Sequence, residues 1–167
     1  MKKYISTLFF LIMSFTAVTD QKTDGYVTLE DCNNNKLDYL IANFEDQKGK
    51  YIGKPMSILI NDLELYVHNQ THRHQRKVNK TNFEGTNLYF YNHSNYSKLT
   101  NEEFHKKLDD GEITFMSVIS EELIKFSDYL PLLRKSDSQG WSEGIKQFYG
   151  NYIIKSLEVS GHTSRGK

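Results

Sequence analysis

The sequence predicts an α+β protein: a mostly antiparallel sheet of about four or five strands, with three to five helices packed mainly on one face. Apolar residues recur at helical spacing in some segments and at a spacing of two in others. The two patterns alternate irregularly, with no βαβ rhythm, no internal repeat and no glycine-rich turn. These observations favour helices gathered against one antiparallel sheet over a parallel α/β arrangement.

Three of the predicted helices carry apolar residues three and four positions apart. The first covers 37–44 and stops at Gly49, since glycine readily ends a helix. The second begins near Pro55, which suits a first helical position because its missing N–H would be unpaired there anyway. A short one over 141–149 turns its aromatic residues inward. Each needs a sheet or another helix to bury its apolar face.

Two further helices are predicted from terminal signals. Thr100 and Glu103 form a capping box, in which each side chain satisfies a free N–H group at the helix start, and Gly111 ends this helix. The other covers 121–133, where Pro131 should end or bend it, because proline lacks the N–H that the helix needs.

The predicted strands show apolar residues at every second position or short apolar runs. The segment 69–82 between two of them is polar, with Val78 as its one apolar residue, and predicts a long exposed hairpin or loop. The five predicted strands cover 26–29, 63–68, 88–91, 113–119 and 152–159.

The first 19 residues have the pattern of a cleavable signal peptide. Lys2 and Lys3 precede an apolar run from Ile5 to Val18, and polar residues follow from Thr19. The run is shorter than the roughly 20 residues that span a bilayer, although an uncleaved anchor is the alternative. We expect export to the periplasm or outside the cell of a diderm bacterium. The mature chain would be one domain over 20–159 and a flexible tail over 160–167.

Charge and cysteine content restrict the function classes. Without the two lysines of the signal, the mature chain has 19 basic and 21 acidic residues, a net charge of −2. The electrostatic field of so small a net charge is weak, which argues against nucleic acid as a partner. Cys32 is the single cysteine, so the domain has no internal disulfide and depends on its hydrophobic core.

A histidine cluster is the candidate metal site. If the strand over 63–68 continued, His68, His72 and His74 would share the face opposite its apolar residues. Imidazoles bind zinc or copper, and three of them with a water make a catalytic shell. The positive charges of Arg73 and Arg76 disfavour a cation, so a solvated hairpin is the alternative interpretation.

Aromatic residues next to this hairpin are the candidate contact surface. Alternation along the strand over 88–91 must turn some of its rings outward, and outward rings can anchor a partner. We therefore predict a surface for a protein or glycan partner made by Tyr89, Tyr91, Tyr96, Arg73 and Arg76.

The most economical hypothesis is a small exported binding or interaction module without catalytic residues. No nucleophile elbow, P-loop, dinucleotide fingerprint or zinc-protease helix is present in the sequence. We expect no cofactor, no nucleic acid partner and no integral membrane association once the signal is removed. Two alternatives are a metal-assisted hydrolase that binds zinc or copper through the histidine cluster, and an immunity or inhibitor protein against an exported toxin.

Overall fold

In the part of the chain that the structure describes, four antiparallel strands lie side by side in sequence order in one sheet, which confirms the predicted α+β fold. The computed structural model describes residue 22 and residues 24–74, 81–135 and 141–160. The predicted signal and Arg76 lie outside the described residues, as does the predicted tail apart from Ser160. The strands are β1 (Asn69–Arg73), β2 (Asn82–Tyr89), β3 (Phe115–Lys125) and β4 (Ile154–Ser160).

Within the described ranges, five helices accompany the sheet, and four of them bury side chains in a common core with its inner face. The first continues into a π-helical turn over Ile41–Glu45, and 3-10 turns cover Lys48–Lys50 and His93–Asn95. The first helix with its π-helical turn, the second, the fourth and the fifth contribute residues to the buried cluster that contains Leu88 and Met116 of the sheet. The helices are α1 (Lys36–Leu40), α2 (Met56–Asp62), α3 (Asn101–Asp109), α4 (Phe126–Lys135) and α5 (Glu143–Gly150).

The helix ends confirm the terminal signals. The Thr100 hydroxyl accepts the Glu103 N–H, and the Glu103 carboxylate accepts the Thr100 N–H, which completes the capping box of α3. Gly111 follows this helix at a φ of 76°, a left-handed conformation that favours glycine. Pro55 directly precedes α2, where no N–H bond is lost.

Three predictions of secondary structure are wrong. Residues 26–29 and 63–68 form no strand, although Leu65 and Val67 are buried as the alternation requires. Residues 121–125 continue β3 as a strand, so α4 begins five residues later than predicted. Helix α4 runs past Pro131 to Lys135, so the proline does not end this helix, and a bend at Pro131 stays a prediction.

The inner face of the sheet is defined by the strand register. Leu88 pairs with Met116, which pairs with Val159, and all three are buried in the core. The neighbouring residues point to the opposite, outer face because strand side chains alternate. That outer face carries Asn69, Thr71, Arg73, Asn87, Tyr89, Phe115, Ser117 and Glu158.

A bulge precedes β1 and reverses the alternation. Asn69 pairs with Tyr89, yet the N–H of His68 also donates to the Tyr89 carbonyl at 2.9 Å. Two residues therefore oppose one, as in a β-bulge. Val67 points into the core before the bulge, and Gln70 points inward after it. The bulge consequently sets which side chains of β1 reach the outer face.

No helix in the described part of the chain is long and apolar enough to cross a membrane.

Candidate functional site

A groove of about 270 Å³ lies on the outer face of the sheet, where β1 begins and β2 ends, next to the turn over His93–Asn95. Strand side chains form one wall and the turn forms the other. The outward positions of β1 supply polar groups, and the end of β2 supplies aromatic rings. The lining residues are Asn69, Thr71, Tyr89, Tyr91 and His93.

A chain of hydrogen bonds crosses three strands and ends in this groove. The Ser117 hydroxyl donates to the Asn87 side-chain oxygen at 2.8 Å, and the Asn87 amide donates to the Thr71 hydroxyl at 3.5 Å. The hydroxyl oxygens of Thr71 and Tyr89 are 3.2 Å apart. Two hydroxyl groups share one bond there, so within the described residues one hydroxyl proton is left to donate to a ligand.

Ring contacts fix the aromatic wall. The Tyr89 ring lies 5.5 Å from the Phe115 ring and 5.7 Å from the Tyr91 ring, centroid to centroid. Tyr91 contacts Tyr96 edge to face at 5.4 Å and faces His93 at 6.4 Å. Burial raises the pKa of Tyr91, and Tyr89 and Tyr96 raise it further, so its phenol stays protonated at neutral pH. The Tyr91 ring is therefore packed among its neighbours, and its phenol is uncharged.

The structure brings part of the predicted aromatic surface together. Tyr89 and Tyr91 line the groove, but Tyr91 is only 7% exposed, so it forms the buried base of the wall rather than an outward anchor. Tyr96 supports Tyr91 without lining the groove. Arg73 lies on the same face four residues from Asn69, roughly 13 Å along the strand, and its guanidinium pairs with the Glu84 carboxylate at 3.3 Å.

The sequence did not reveal Asn69, Thr71 and His93 as groove residues. The sequence predicts an exposed hairpin or loop over 69–82, and one arm of a hairpin does begin there as β1. The spacing of two between Asn69, Thr71 and Arg73 is the sequence signal that could have placed these residues together on the outer face. The bulge hid it, because the alternation extrapolated from Val67 places these residues on the wrong face.

The three histidines do not form the predicted cluster. His72 points to the inner face, the same side as Val67, whereas His68 lies at the bulge with its ring 4.8 Å from Tyr66. The His74 ring is 6.3 Å from that of His72, edge to face. Among the residues that the structure describes, no three His, Cys, Asp or Glu side chains could hold a metal together. The metal-assisted hydrolase stays a prediction that this geometry does not support.

His72 belongs to a polar network inside the core. Its Nδ1 atom lies 3.2 Å from the Tyr149 hydroxyl, which also donates to the Gln70 side-chain oxygen at 3.3 Å. The Gln70 amide donates to the Tyr129 hydroxyl. The Thr86 hydroxyl donates to the Gln70 oxygen at 3.1 Å. Because these buried groups satisfy one another, the network serves to hold β1 against α4 and α5.

A larger cavity of about 480 Å³ lies between α2 and α5. The cavity lies beside the point where the two helices approach closely at Gly150. A Cβ added to this glycine would lie 3.3 Å from the Ser57 Cβ. The cavity's polar side chains, such as those of Asn61 and Gln147, are exposed and point from helix surfaces. The outer-face groove is smaller, but hydrogen bonds and ring contacts hold its side chains in place, which lowers the entropy cost of binding.

Cys32 is a packing residue. Its side chain is half-buried against the core cluster and forms no disulfide within the described residues. Burial raises the pKa of its thiol, and the carboxylates of Asp38 and Asp31 raise it further. A thiol that resists ionisation is a poor nucleophile.

Comparison of the chain with protein-family models, with curated proteins and with solved structures finds no match.

Proposed function

We propose that this protein is an exported binding module that holds its ligand in the outer-face groove. The observation that carries the proposal is the hydrogen-bond chain from Ser117 through Asn87 to Thr71 and Tyr89, because it fixes a donor at the groove before any ligand arrives. The signal pattern of the first 19 residues supports export.

The groove favours an uncharged ligand group. Among the described lining residues none carries a carboxylate, ammonium or guanidinium group, the His93 imidazole is the one basic side chain, and Arg73 on the same face is paired with Glu84. The Asn69 amide, the hydroxyl pair of Thr71 and Tyr89, and the protonated phenol of Tyr91 offer hydrogen bonds to a neutral polar group. The Tyr89 ring offers an apolar surface beside them.

The size of the groove limits what it can enclose. At about 270 Å³ it lies just below the roughly 300 Å³ at which pockets for whole drug-sized ligands begin. One amino-acid side chain or one sugar ring fits such a volume, with the rest of the partner lying across the sheet. This favours a macromolecular or oligomeric ligand over a free metabolite.

Tyr89 variants test the proposal. The purified protein is screened against an array of immobilised glycans and against a phage library of random 12-residue peptides. Affinities of the hits are then measured for wild type, Tyr89→Ala and Tyr66→Ala. Tyr66 is 71% exposed and does not line the groove, so it is a matched control for loss of a tyrosine.

We expect Tyr89→Ala to weaken binding at least about tenfold, since buried aromatic anchors dominate interfaces. Tyr66→Ala should bind as wild type does. Thermal unfolding of both variants checks that the sheet is intact. Hits that bind Tyr89→Ala with wild-type affinity, or no hit in either screen, would overturn the proposal.

A further inference from the structure

The backbone of β2 bonds to its two neighbours in alternation. The N–H of Phe90 donates to the Thr114 carbonyl on the β3 side at 3.1 Å. Successive residues of a strand direct their N–H and C=O groups to opposite sides. The backbone groups of Leu88 therefore bond to β3, while those of Tyr89 bond to β1. The hydrogen bond from the His68 N–H to the Tyr89 carbonyl agrees with this assignment.

The same alternation leaves backbone groups of β1 pointing out of the sheet. Asn69, Thr71 and Arg73 face the β2 residues that bond to β1. Gln70 and His72 lie between them and direct their N–H and C=O groups away from the sheet. The Gln70 N–H donates to the side-chain oxygen of Asn69 at 2.8 Å, a local bond that a backbone carbonyl can replace.

The opposite edge of the sheet is bonded in part by the protein's own chain. At β4, the Ile154 N–H donates to the Lys54 carbonyl at 2.9 Å and the Ile154 carbonyl accepts the Gly53 N–H at 2.8 Å. The Val159 N–H donates to the Glu45 carboxylate at 3.0 Å. No described segment makes comparable backbone bonds to Gln70 or His72 of β1.

From this contrast we infer that β1 is a docking edge for an extended peptide, which adds to the sheet as a fifth strand beside the outer-face groove. The peptide backbone satisfies the outward groups of Gln70 and His72, as in other strand-addition complexes. The inference rests on the proposed function, because the groove that receives the peptide's side chain is the same groove.

The groove determines which peptide fits. Strand addition places every second peptide side chain on the outer face, level with Asn69 and Thr71, which line the groove. The part of the groove that the structure describes carries no carboxylate, ammonium or guanidinium group and a single imidazole, that of His93, so the inserted side chain is uncharged: aromatic, amide or hydroxyl. A saccharide stacks poorly here, because Tyr91 is 7% exposed and Phe115 lies against the Tyr89 ring.

An N-methyl scan tests the backbone pairing without changing the protein. The probe is a 12-residue peptide selected from the phage library against the purified full chain, then synthesised with one N-methyl group at a time. Only amides that face β1 lose a hydrogen bond. We expect affinity to fall about tenfold at alternate positions over roughly four residues, and to change less than threefold between them.

Amide hydrogen exchange locates the peptide on the protein. Saturating peptide should slow exchange at Gln70 and His72 at least about tenfold, because their N–H groups gain a strand partner. The Thr71 N–H already bonds to β2 and is the internal control, with unchanged exchange. Protection at Gln70 and His72 that rises with protein concentration alone would assign the edge to a second copy of this chain and overturn the inference.

The remaining outcomes separate this inference from the proposed function. Peptides that require Tyr89 but show no alternation in the N-methyl scan overturn strand addition and leave the groove as the binding site. The same holds if only glycans bind. An alternating N-methyl scan, together with a peptide that binds Tyr89→Ala as tightly as wild type, would support strand addition. It would overturn the groove as the binding site. Failure to select any peptide with a Kd below about 100 µM overturns the inference.

Discussion

The Nδ1 atom of His72 lies 3.2 Å from the hydroxyl oxygen of Tyr149, 77 residues further along the chain. The imidazole also stacks on Phe83 with ring centroids 4.3 Å apart and meets the Tyr129 ring edge to face at 4.5 Å. An edge strand is thereby joined to α4 and α5 through one half-buried imidazole. The protein's stability consequently depends on the charge of that ring.

We predict that acid destabilises the protein partly through His72. Burial lowers the pKa of His72 below 6.5, and the nearby His74 lowers it further. Below the unfolded value of about 6.5, the unfolded chain binds a proton that the folded protein resists. The free energy of unfolding should therefore fall as the pH drops below about 6.5, until the pH has passed the lower folded pKa.

The control for this effect is His72→Phe, which keeps the ring stack and removes the titration. Melting temperatures between about pH 7.5 and 5 should decline less steeply for this variant than for wild type. Parallel curves for the two proteins would show that His72 does not contribute to the pH dependence.

We predict opposite effects from one substitution at two buried threonines. The Thr114 hydroxyl is fully buried and has no hydrogen-bond partner among the described residues, so Thr114→Val should be neutral or stabilise by about 1 kcal/mol. The Thr86 hydroxyl bonds to the Gln70 oxygen and lies 3.2 Å from the Thr71 carbonyl. Thr86→Val should cost about 1–2 kcal/mol. Urea unfolding measures both, and equal destabilisation would contradict the assignment.

We predict that Gly85 is required for the pairing of β2 with β3. A Cβ at this position would collide with the Val118 carbonyl and lie 2.8 Å from the Ile119 Cα, so the backbone itself would have to move. Gly85→Ala should destabilise by about 3 kcal/mol or prevent folding. Gly49 has no atom within 4 Å of its Cβ position, and Gly49→Ala should change stability by less than about 0.5 kcal/mol. Unfolding curves that coincide would disprove the close approach.

The helices were largely predictable because their signals are local. The capping box at Thr100, the stop at Gly111 and the start at Pro55 each act within a few residues of themselves. The fourth helix was misplaced because residues 121–125 carry apolar groups that fit either period. Residues 121–125 form a strand because Ile124 pairs with Phe83 and Lys125 pairs with Asn82. These partners are distant in sequence, so no local pattern predicts the pairing.

The candidate site was only partly predictable for a related reason. Tyr89 and Tyr91 stood out as aromatic residues on one strand, but their polar neighbours Asn69 and Thr71 depend on a bulge at His68. A one-residue shift moves every later side chain to the other face. The histidine cluster was predicted from the unshifted alternation, and the bulge is what separates His68 from His72.

Chemical-shift mapping of the ligand tests the binding groove most directly. The purified, nitrogen-15-labelled protein is titrated with the tightest hit from the peptide or glycan screen. We predict that the largest amide shifts cluster at Asn69, Thr71, Asn87 and Tyr89 on the outer face of the sheet. A cluster instead at Ser57, Asn61, Gln147 and Asn151, around the cavity between α2 and α5, would contradict the proposal.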